Sequence, residues 1–278
     1  MDIDLSKPLE DYQLTFLDLE TTGLDVVMGD AICEIGAFKV KNRKIVDKFH
    51  SLVNPKMAVP QAAYQIHKIS DQDLKYAPPF EKLADKLLDF LKGTVLCAYN
   101  VEFDAKFIDY SLKRIGREPL NLPTVDILAM ARDGLDLPRY NLGTVAKSLG
   151  IDCKGGLHRA LDDALVTYQT FLKLIDGFKN KKIESLDDYV SLYSCSNDIF
   201  KIKEDKKIAI LKEAIENDHK IDIKYFSSSN ILEHDQVLPL RLVREGRFFY
   251  FLFQGQAKEP RRILLRRVLE VQIPSARA

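Results

Sequence analysis

Residues 16–24 read Phe-Leu-Asp-Leu-Glu-Thr-Thr-Gly-Leu, and this stretch decides the fold. Its apolar residues are typical of a strand, and they alternate with two acids, Asp18 and Glu20. Side chains two positions apart lie on the same face of a strand, so both carboxylates face the same way. Close negative charges repel each other unless a cation lies between them, and hard divalent cations prefer carboxylate oxygens. The stretch is therefore either a metal-binding strand or an exposed edge strand with two solvated acids.

Two further segments carry acids where helices are expected to begin. Residues 97–108 read CAYNVEFDAKFI; they follow a strand-like run, open an amphipathic helix and contain Asp104. Residues 158–164 read HRALDDA and precede a second apolar helical pattern. This segment contains His158 and Asp163, which are five positions apart.

The three segments, in this order, resemble the sequence blocks of the DEDDh 3′–5′ exonucleases. That family includes polymerase proofreading subunits, RNase T and oligoribonuclease, and the resemblance covers about residues 10–178. It implies metal ligands and a histidine general base at the matching positions. The implied ligands are Asp18, Glu20, Asp104 and Asp163, and the implied base is His158. The second block differs from the family pattern at Tyr99, where the family often has His.

Hydrolysis of a phosphodiester requires a nucleophilic water, a stabilised transition state and a neutralised leaving oxygen. Two divalent ions a few ångströms apart meet all three requirements. We therefore expect two Mg²⁺ or Mn²⁺ ions held by the four carboxylates. A base that works near neutral pH favours histidine, and only five His occur in the chain.

The resemblance also implies contacts with the terminal nucleotide. The implied residues are Thr21, Thr22, Leu24, His67, Tyr99, Asn100 and Phe103. His67 lies in the segment 65–70, QIHKIS, and a surface histidine that caps a loop is the alternative interpretation. The two aromatic residues either stack on bases or pack in the core.

Three acids near the blocks need separate interpretations. Asp162 adjoins Asp163 but points about 100° away on a helix, which favours a solvent-facing role. Glu102 does not occupy the family's ligand position, whereas Asp104 does. Asp126 precedes a helix, and we expect it to cap that helix or support the ligands rather than bind metal.

The charge is zero overall but unevenly distributed. Residues 201–278 contain 16 basic and 11 acidic residues, a net charge of +5, and residues 1–200 carry −5. The late arginines Arg261, Arg262, Arg266 and Arg267 are candidates for nucleic-acid binding. Such a concentration is typical of phosphate contacts, although an ordinary solvated face has the same composition.

The composition favours a cytoplasmic protein. No apolar run approaches the about 18–20 residues of a membrane span, so we expect no membrane association. The first residues lack a basic segment followed by an apolar one, which argues against a signal peptide. The four Cys show neither metal-ligand spacing nor a disulfide framework.

Strands and helices alternate in a way that predicts an α/β domain with a mixed central sheet. The family resemblance implies the ribonuclease-H-like fold. We predict an exonuclease domain at 1–178, a linker with a short helix at 179–205, and a small mostly-β domain at 206–278.

The C-terminal segment resembles a WYL domain, with Phe248-Phe249-Tyr250 in place of the Trp-Tyr-Leu triplet. The resemblance implies a small SH3-like barrel that binds a nucleotide or nucleic acid. One continuous strand is expected at 262–273. Along the preceding strand, either positions 249, 251 and 253 or positions 248, 250 and 252 must face the core.

These observations favour a metal-dependent 3′–5′ exonuclease that acts on single-stranded DNA, with an RNA-directed exoribonuclease as an alternative. A binding or regulatory scaffold with a decayed site is the other alternative. A decayed site usually loses a carboxylate or the histidine, and all five residues are present here. The sequence does not indicate whether a polymerase is a partner.

Overall fold

The N-terminal part of the chain builds a five-stranded mixed sheet. The computed structural model describes residues 4–153, 158–178, 183–195, 198–227, 231–246, 248–255 and 259–274. Its first strands are β1 (Leu14–Thr21), β2 (Ile32–Lys41), β3 (Lys44–Leu52), β4 (Val95–Ala98) and β5 (Thr124–Asp126). Their order is β3-β2-β1-β4-β5, with β1–β2 and β2–β3 antiparallel and β1–β4 and β4–β5 parallel. The predicted α/β class with a mixed sheet is confirmed.

Helices cover both faces of this sheet. They are α1 (Gln61–His67), α2 (Asp71–Leu74), α3 (Phe80–Leu91), α4 (Val101–Arg114), α5 (Ile127–Gly134), α6 (Leu142–Ser148) and α7 (Ala160–Phe178). Phe16 packs on the face covered by α5 and α7, whereas Leu17 packs on the face covered by α3 and α4. This alternation on β1 explains why the strand is apolar on both faces except at its acids. Among the described helices, none combines the length and apolar character that a bilayer crossing requires.

The short helix predicted between the two domains is α8 (Leu186–Tyr193). Ser185 caps its first turn by accepting a hydrogen bond from the Asp188 backbone N–H. Its buried residues, including Leu186, Tyr189 and Val190, join the core that contains Phe16. This part of the predicted linker is therefore folded against the exonuclease sheet.

The C-terminal part begins with α9 (Asp198–Glu216) and continues as a second, antiparallel sheet. Its strands are β6 (Ile221–Phe226), β7 (Leu232–Glu245), β8 (Phe248–Gln254), β9 (Arg261–Leu264) and β10 (Val268–Gln272), in the order β10-β6-β7-β8-β9. Phe251 and Phe253 are fully buried in its core, and Phe249 packs partly against it. Positions 249, 251 and 253 therefore face inward.

The prediction of one continuous strand at 262–273 is wrong. A 3-10 turn at Leu265–Arg267 divides this segment into β9, which pairs with β8, and β10, which pairs with β6 at the opposite edge of the sheet. Leu265 is fully buried in the turn, so burial of its side chain bends the chain where no Gly or Pro marks a break.

The two parts of the protein also touch, because Phe226 of β6 is buried in the core that contains Phe16.

Candidate active site

The acids of β1 meet an acid from α7. Asp18 is half-buried, whereas Glu20 and Asp163 are 8% and 7% exposed. One carboxylate oxygen from each of the three lies within 4.8 Å of the others. The period of the strand places the first two on one face, and the first turn of α7 places the third opposite them. This spacing is compatible with a divalent ion bound by carboxylate ligands.

Asp104 approaches the cluster from α4 without belonging to that group of three. It lies in the first turn of the helix and is 3% exposed. Its charge is the largest electrostatic influence on Asp18 after burial, and the Leu19 backbone hydrogen-bonds to it. Asp104 therefore borders the cluster from the side of Asp18.

Burial and mutual repulsion raise the pKa of every acid in the cluster. The pKa of Asp18 is raised well above its ordinary value, first by burial and then by the charges of Asp104 and Asp163. The pKa of Glu20 is raised to about 8 by burial and by the charges of Asp163 and Glu34. Burial also raises the pKa of Asp163, although the His158 backbone N–H opposes the shift. The cluster thus has more negative charge than its surroundings compensate.

One oxygen of the cluster fits the role of a metal ligand especially well. Asp163 Oδ1 is buried and has no hydrogen-bond partner among the described residues. A buried carboxylate oxygen without a donor is costly unless a cation binds it. The carboxylate-only donor set and this oxygen both fit Mg²⁺ or Mn²⁺.

Sequence reasoning missed Glu34, a fully buried acid on β2 directly opposite Glu20. Arg159 donates from Nε to Oε2 and from Nη2 to Oε1 of Glu34, at 3.1 and 2.7 Å. Glu34 also accepts from the Ala160 backbone N–H at 3.0 Å and lies 2.7 Å from His50 Nε2. Burial alone would raise the pKa of Glu34, but these hydrogen bonds lower it below its ordinary value. The signal in the sequence that could have identified Glu34 is that it is the one acid within the apolar run 31–37.

The arginine nearest the cluster is therefore engaged elsewhere. Arg159 begins the α7 region, yet its guanidinium is paired with Glu34 rather than with the three clustered acids. Glu34 also accepts a hydrogen bond from the first residue of α7, Ala160. Glu34 thus anchors the helix start that carries Asp163.

His158 lies just before α7 and is exposed, with a left-handed backbone (φ 79°). Its backbone N–H donates to Asp163 Oδ2 at 3.1 Å. This contact places the histidine at the edge of the acid cluster with its side chain open to solvent. The structure brings the predicted base and the predicted ligands together.

The loop after β1 is shaped by its own hydrogen bonds. Thr21 Oγ1 donates to the Gly23 carbonyl at 2.6 Å, and Thr22 Oγ1 accepts from the Ala31 backbone N–H at 2.9 Å. Both hydroxyls therefore have internal partners. Leu24, in contrast, is 84% exposed beside this loop. Val27 and Met28, three and four positions later, are also exposed, and a group of exposed apolar side chains can mark a ligand site.

His67 is not a surface residue. It is 2% exposed, and its Nδ1 accepts from the Ile69 backbone N–H at 3.0 Å. Its Nε2 is buried without a hydrogen-bond partner among the described residues, and burial lowers the pKa of its imidazole. The interpretation as a surface loop cap is wrong.

The three candidates around the second block differ in environment. Tyr99 is half-buried against the first core, and its hydroxyl donates to the Tyr140 carbonyl at 2.6 Å. Phe103 packs against the second core, with its ring centroid 4.8 Å from that of Phe107. Asn100 is exposed and precedes α4 with a φ of 70°. Only Asn100 of these three presents an exposed side chain, so the two rings have the environment of core residues.

The expected roles of the nearby acids agree with their positions. Asp162 is exposed in the first turn of α7. Asp126 caps α5, because its Oδ1 accepts from the backbone N–H groups of Leu128 and Ala129 at 2.9 and 3.1 Å.

The four late arginines divide into two pairs. Arg261 is held by Glu233 and Asp235 at 3.1 and 3.6 Å, and Arg267 is 17% exposed and paired with Asp133 at 3.0 Å. Arg262 and Arg266 lie over the Tyr250 and Phe248 rings on the outer face of β8, and Arg262 also pairs with Glu245 at 2.6 Å. Arg261 lies instead over the buried Phe253 ring, so the arginines differ in the face of the sheet that they contact.

Comparison with known proteins places this site in a family. The profile of the exonuclease family represented by RNase T matches residues 15–171, and that of the WYL domain matches residues 206–273. DNA polymerase III subunit epsilon of Rickettsia prowazekii is 34% identical over 212 residues, which cover 73% of this chain and 92% of that protein. The PolC-type DNA polymerase III of Thermotoga petrophila is 34% identical over 183 residues. Those residues cover 66% of this chain but 13% of that polymerase.

Solved structures share the fold at lower sequence identity. E. coli exonuclease I in complex with a dA16 oligonucleotide aligns with a TM-score of 0.58 at 18% identity, covering 87% of this chain and 54% of that chain. The nuclease domain of 3′hExo, a DEDDh family member bound to rAMP, aligns with a TM-score of 0.52 at 18% identity, covering 59% and 92%. The chain therefore belongs to the DEDDh-type 3′–5′ exonuclease family and carries a WYL domain after its exonuclease domain.

Proposed function

We propose that the protein is a metal-dependent exonuclease that releases nucleoside monophosphates from the 3′ end of single-stranded DNA. The observation that carries this proposal is the cluster of Asp18, Glu20 and Asp163 with Asp104 at its border. These acids come from three separate elements, and burial and repulsion raise the pKa of each. A fold gains nothing from such mutual repulsion unless the acids bind cations.

The four carboxylates would hold two Mg²⁺ or Mn²⁺ ions. When bound, the ions supply a nucleophilic water and stabilise charge on the scissile phosphate and the leaving oxygen. Asp163 Oδ1 contributes a buried acceptor that no described donor satisfies. Glu34 holds Arg159 through two hydrogen bonds, so the charge of Arg159 offsets only part of the negative charge of the cluster.

His158 serves as the general base in this proposal. Its exposed side chain stands beside Asp163, to which its own backbone N–H is bonded. From this position the imidazole takes a proton from the attacking water and releases it to solvent. A histidine suits this role because it exchanges protons near neutral pH.

The terminal nucleotide is recognised beside the acid cluster. The exposed Leu24 side chain offers an apolar surface to the last base. The loop of Thr21 and Thr22, whose hydroxyls are internally bonded, lies against the 3′ end in this proposal. His67 is buried close to the Thr21 backbone and does not contact solvent, whereas Asn100 is an exposed polar group just before α4.

The names of the relatives support DNA rather than RNA as the substrate, since they include subunits of DNA polymerase III. The same similarity supports the proposal that a DNA polymerase is a partner of this protein. The free cysteines support a reducing, cytoplasmic location. We keep the division into domains at 1–178, a linker at 179–205 and a domain at 206–278 as a proposal, which the two family matches support.

The test is degradation of 5′-labelled single-stranded DNA and RNA in the presence of Mg²⁺, Mn²⁺ or EDTA. The full-length protein is compared with Asp163→Asn and with Asp162→Asn, a neighbouring acid that is exposed and outside the cluster. We expect a metal-dependent ladder that shortens from the 3′ end, is lost in Asp163→Asn and is retained in Asp162→Asn. The absence of products with both nucleic acids would favour a binding scaffold instead.

His158 is tested separately, because removal of a general base and removal of a metal ligand have different effects on metal binding. His158→Gln should lower the rate of cleavage at neutral pH while leaving the binding of Mn²⁺ unchanged. Loss of Mn²⁺ binding in His158→Gln, measured by calorimetry, would contradict its role as the base. Asp163→Asn is the matching variant in which metal binding itself should fall.

A further inference from the structure

One face of the C-terminal sheet carries aromatic rings that lie outside its core. On β8, Phe251 and Phe253 are fully buried, so the alternate residues project from the opposite face. These residues are Phe248, Tyr250 and Leu252, and all three are half-buried. None of them belongs to the apolar clusters formed by the described residues.

Arginines share this face with the rings. The Arg262 guanidinium lies 3.8 Å from the ring centroid of Tyr250, and that of Arg266 lies 5.2 Å from the ring centroid of Phe248. Arg241 is exposed opposite Leu252 on β7. We call these six residues, Phe248, Tyr250, Leu252, Arg241, Arg262 and Arg266, the aromatic–arginine face. Glu245 pairs with Arg262 at 2.6 Å and leaves the Arg262 side chain 47% exposed, and Glu204 lines the cavity beside Arg266.

The aromatic–arginine face leads toward the exonuclease site. Phe248 and Arg266 line a cavity of about 130 Å³ between the two parts of the chain, and Asn100 and Arg132 line its other side. Asn100 is the residue that precedes α4, whose first turn holds Asp104. The cavity therefore lies between the aromatic–arginine face and the start of the helix that carries Asp104.

The cavity itself suits a base better than a phosphate. Glu102, Asp126 and Glu204 line it together with Arg132 and Arg266, so its acids outnumber its arginines. Phosphates would avoid it, whereas the N–H groups of a base find acceptors there. The basic groups are instead on the open face of the sheet.

We propose that the aromatic–arginine face binds the single-stranded part of the substrate upstream of the cleaved 3′ end. Bases stack on Phe248, Tyr250 and the guanidinium planes above them, and backbone phosphates contact the arginines. This combination of π faces and exposed positive charge matches the chemistry of single-stranded nucleic acid. The inference rests on the proposed exonuclease function and names the surface that holds its substrate.

Two of the late arginines have no part in this surface. Arg261 is held by Glu233 and Asp235, and Arg267 joins the two parts of the chain through Asp133. Lys224 provides a matched control, since it is a basic residue of the same sheet that pairs with Glu270 on β10. Its removal changes the net charge by as much as the removal of one arginine.

The experiment measures binding in a background that does not cleave. Full-length Asp163→Asn protein is titrated against a fluorescent oligothymidylate of about 20 nucleotides by anisotropy at several salt concentrations. Phe248→Leu with Tyr250→Leu should weaken binding at least about tenfold, because two stacking surfaces are lost while apolar volume is retained. Arg262→Gln with Arg266→Gln should lower the salt slope by about 1.4, because each phosphate contact on a single strand contributes about 0.7, and Lys224→Gln should lower neither affinity nor slope.

A second measurement separates this inference from the proposed function. In the cleaving background, both double variants should lose more of the cleavage rate on the long strand than on a dinucleotide, because a dinucleotide reaches at most the end of the face that borders the cavity with Asn100. Equal affinity of all variants for the long strand would overturn the face as the binding surface, even if the dinucleotide is cleaved. If the wild type cleaves neither the dinucleotide nor the long strand, the proposed exonuclease activity is wrong. The binding data would then still decide whether the face binds single-stranded DNA. Unchanged melting temperatures confirm that the variants are folded.

Discussion

Arg159 and Glu34 form a two-point contact across 125 positions of sequence, with N···O distances of 3.1 and 2.7 Å. The Glu34 side chain is 1% exposed, whereas that of Arg159 is 48% exposed. Glu34 lies opposite Glu20 on the neighbouring strand and binds the first backbone N–H of α7. This contact fixes the helix that carries Asp163 to the strand pair that carries the other acids.

Replacing Glu34 should therefore cost both stability and activity. Glu34→Gln removes the charge that faces Arg159 and leaves at least one buried donor without an acceptor, which costs about 1–3 kcal/mol. The free energy of unfolding, measured with urea, should fall by that amount, and the rate of cleavage should fall because Asp163 is displaced.

Glu10→Gln is the matched control for this variant. Glu10 also pairs with an arginine, Arg43 at 2.8 Å, but the Glu10 side chain is 58% exposed. Exposed pairs contribute about 0–1 kcal/mol, so this variant should be nearly neutral. Equal effects of the two substitutions would contradict a special role for Glu34.

A glycine sets the distance between the same helix and strand. A Cβ at Gly36 would lie 2.2 Å from the Leu161 backbone N and 2.3 Å from the Ala160 carbonyl carbon. Gly36→Ala must therefore push the start of α7 away from β2, at a cost of about 1–3 kcal/mol. We expect a lower midpoint of urea unfolding together with reduced cleavage.

Gly177, near the end of the same helix, is the control for that substitution. No atom lies within 4 Å of a Cβ built there. Gly177→Ala should raise helix stability by up to about 1 kcal/mol and leave cleavage unchanged. A neutral Gly36→Ala would show that α7 can shift without consequence.

The sequence predicted the acid cluster in two ways. The two-residue spacing of Asp18 and Glu20 requires only a strand, whereas Asp163 was assigned from the resemblance to the DEDDh sequence blocks. Glu34 could not be assigned in this way, since its importance depends on strand register, which brings it opposite Glu20. Pairing across a sheet is a tertiary property that one strand does not encode.

The amino-acid composition also could not assign roles to individual arginines. A net charge of +5 in residues 201–278 predicted a basic surface. It could not distinguish Arg262, whose guanidinium lies over the Tyr250 ring, from Arg267, which is paired between the two domains. The strand break at Leu265 was missed for a related reason, because burial of that side chain rather than a Gly or Pro turns the chain.

The metal-free protein should lose stability as pH rises. The pKa of Glu20 is raised from an ordinary 4.5 to about 8, so the folded state binds this proton more tightly than the unfolded state does. Stability from such a group is fully present below the unfolded pKa and is lost as pH rises through the folded one. The Tm measured in EDTA should therefore fall between about pH 5 and about pH 8.

Added metal ions should reverse this trend. Mn²⁺ binds the ionised carboxylates of the folded state, so the increase in Tm should be greatest at the upper end of the range. Glu20→Gln removes the titrating group and should flatten the dependence of the metal-free Tm on pH. A metal-free Tm that rises with pH in the wild type would contradict the repulsion among the acids.

The last prediction concerns the contact between the two domains. Arg267 donates to Asp133 Oδ1 at 3.0 Å and to the backbone carbonyls of Phe226 and Ser227, and both side chains of the ion pair are 17% exposed. Arg267→Met retains most of the apolar stem but leaves these acceptors without their donor, which costs about 2–4 kcal/mol. Calorimetry should then resolve an earlier transition for the C-terminal domain. Arg261→Met, which breaks contacts only within the C-terminal sheet, should lower the Tm of that domain without separating the two transitions, because Arg267 still joins it to α5.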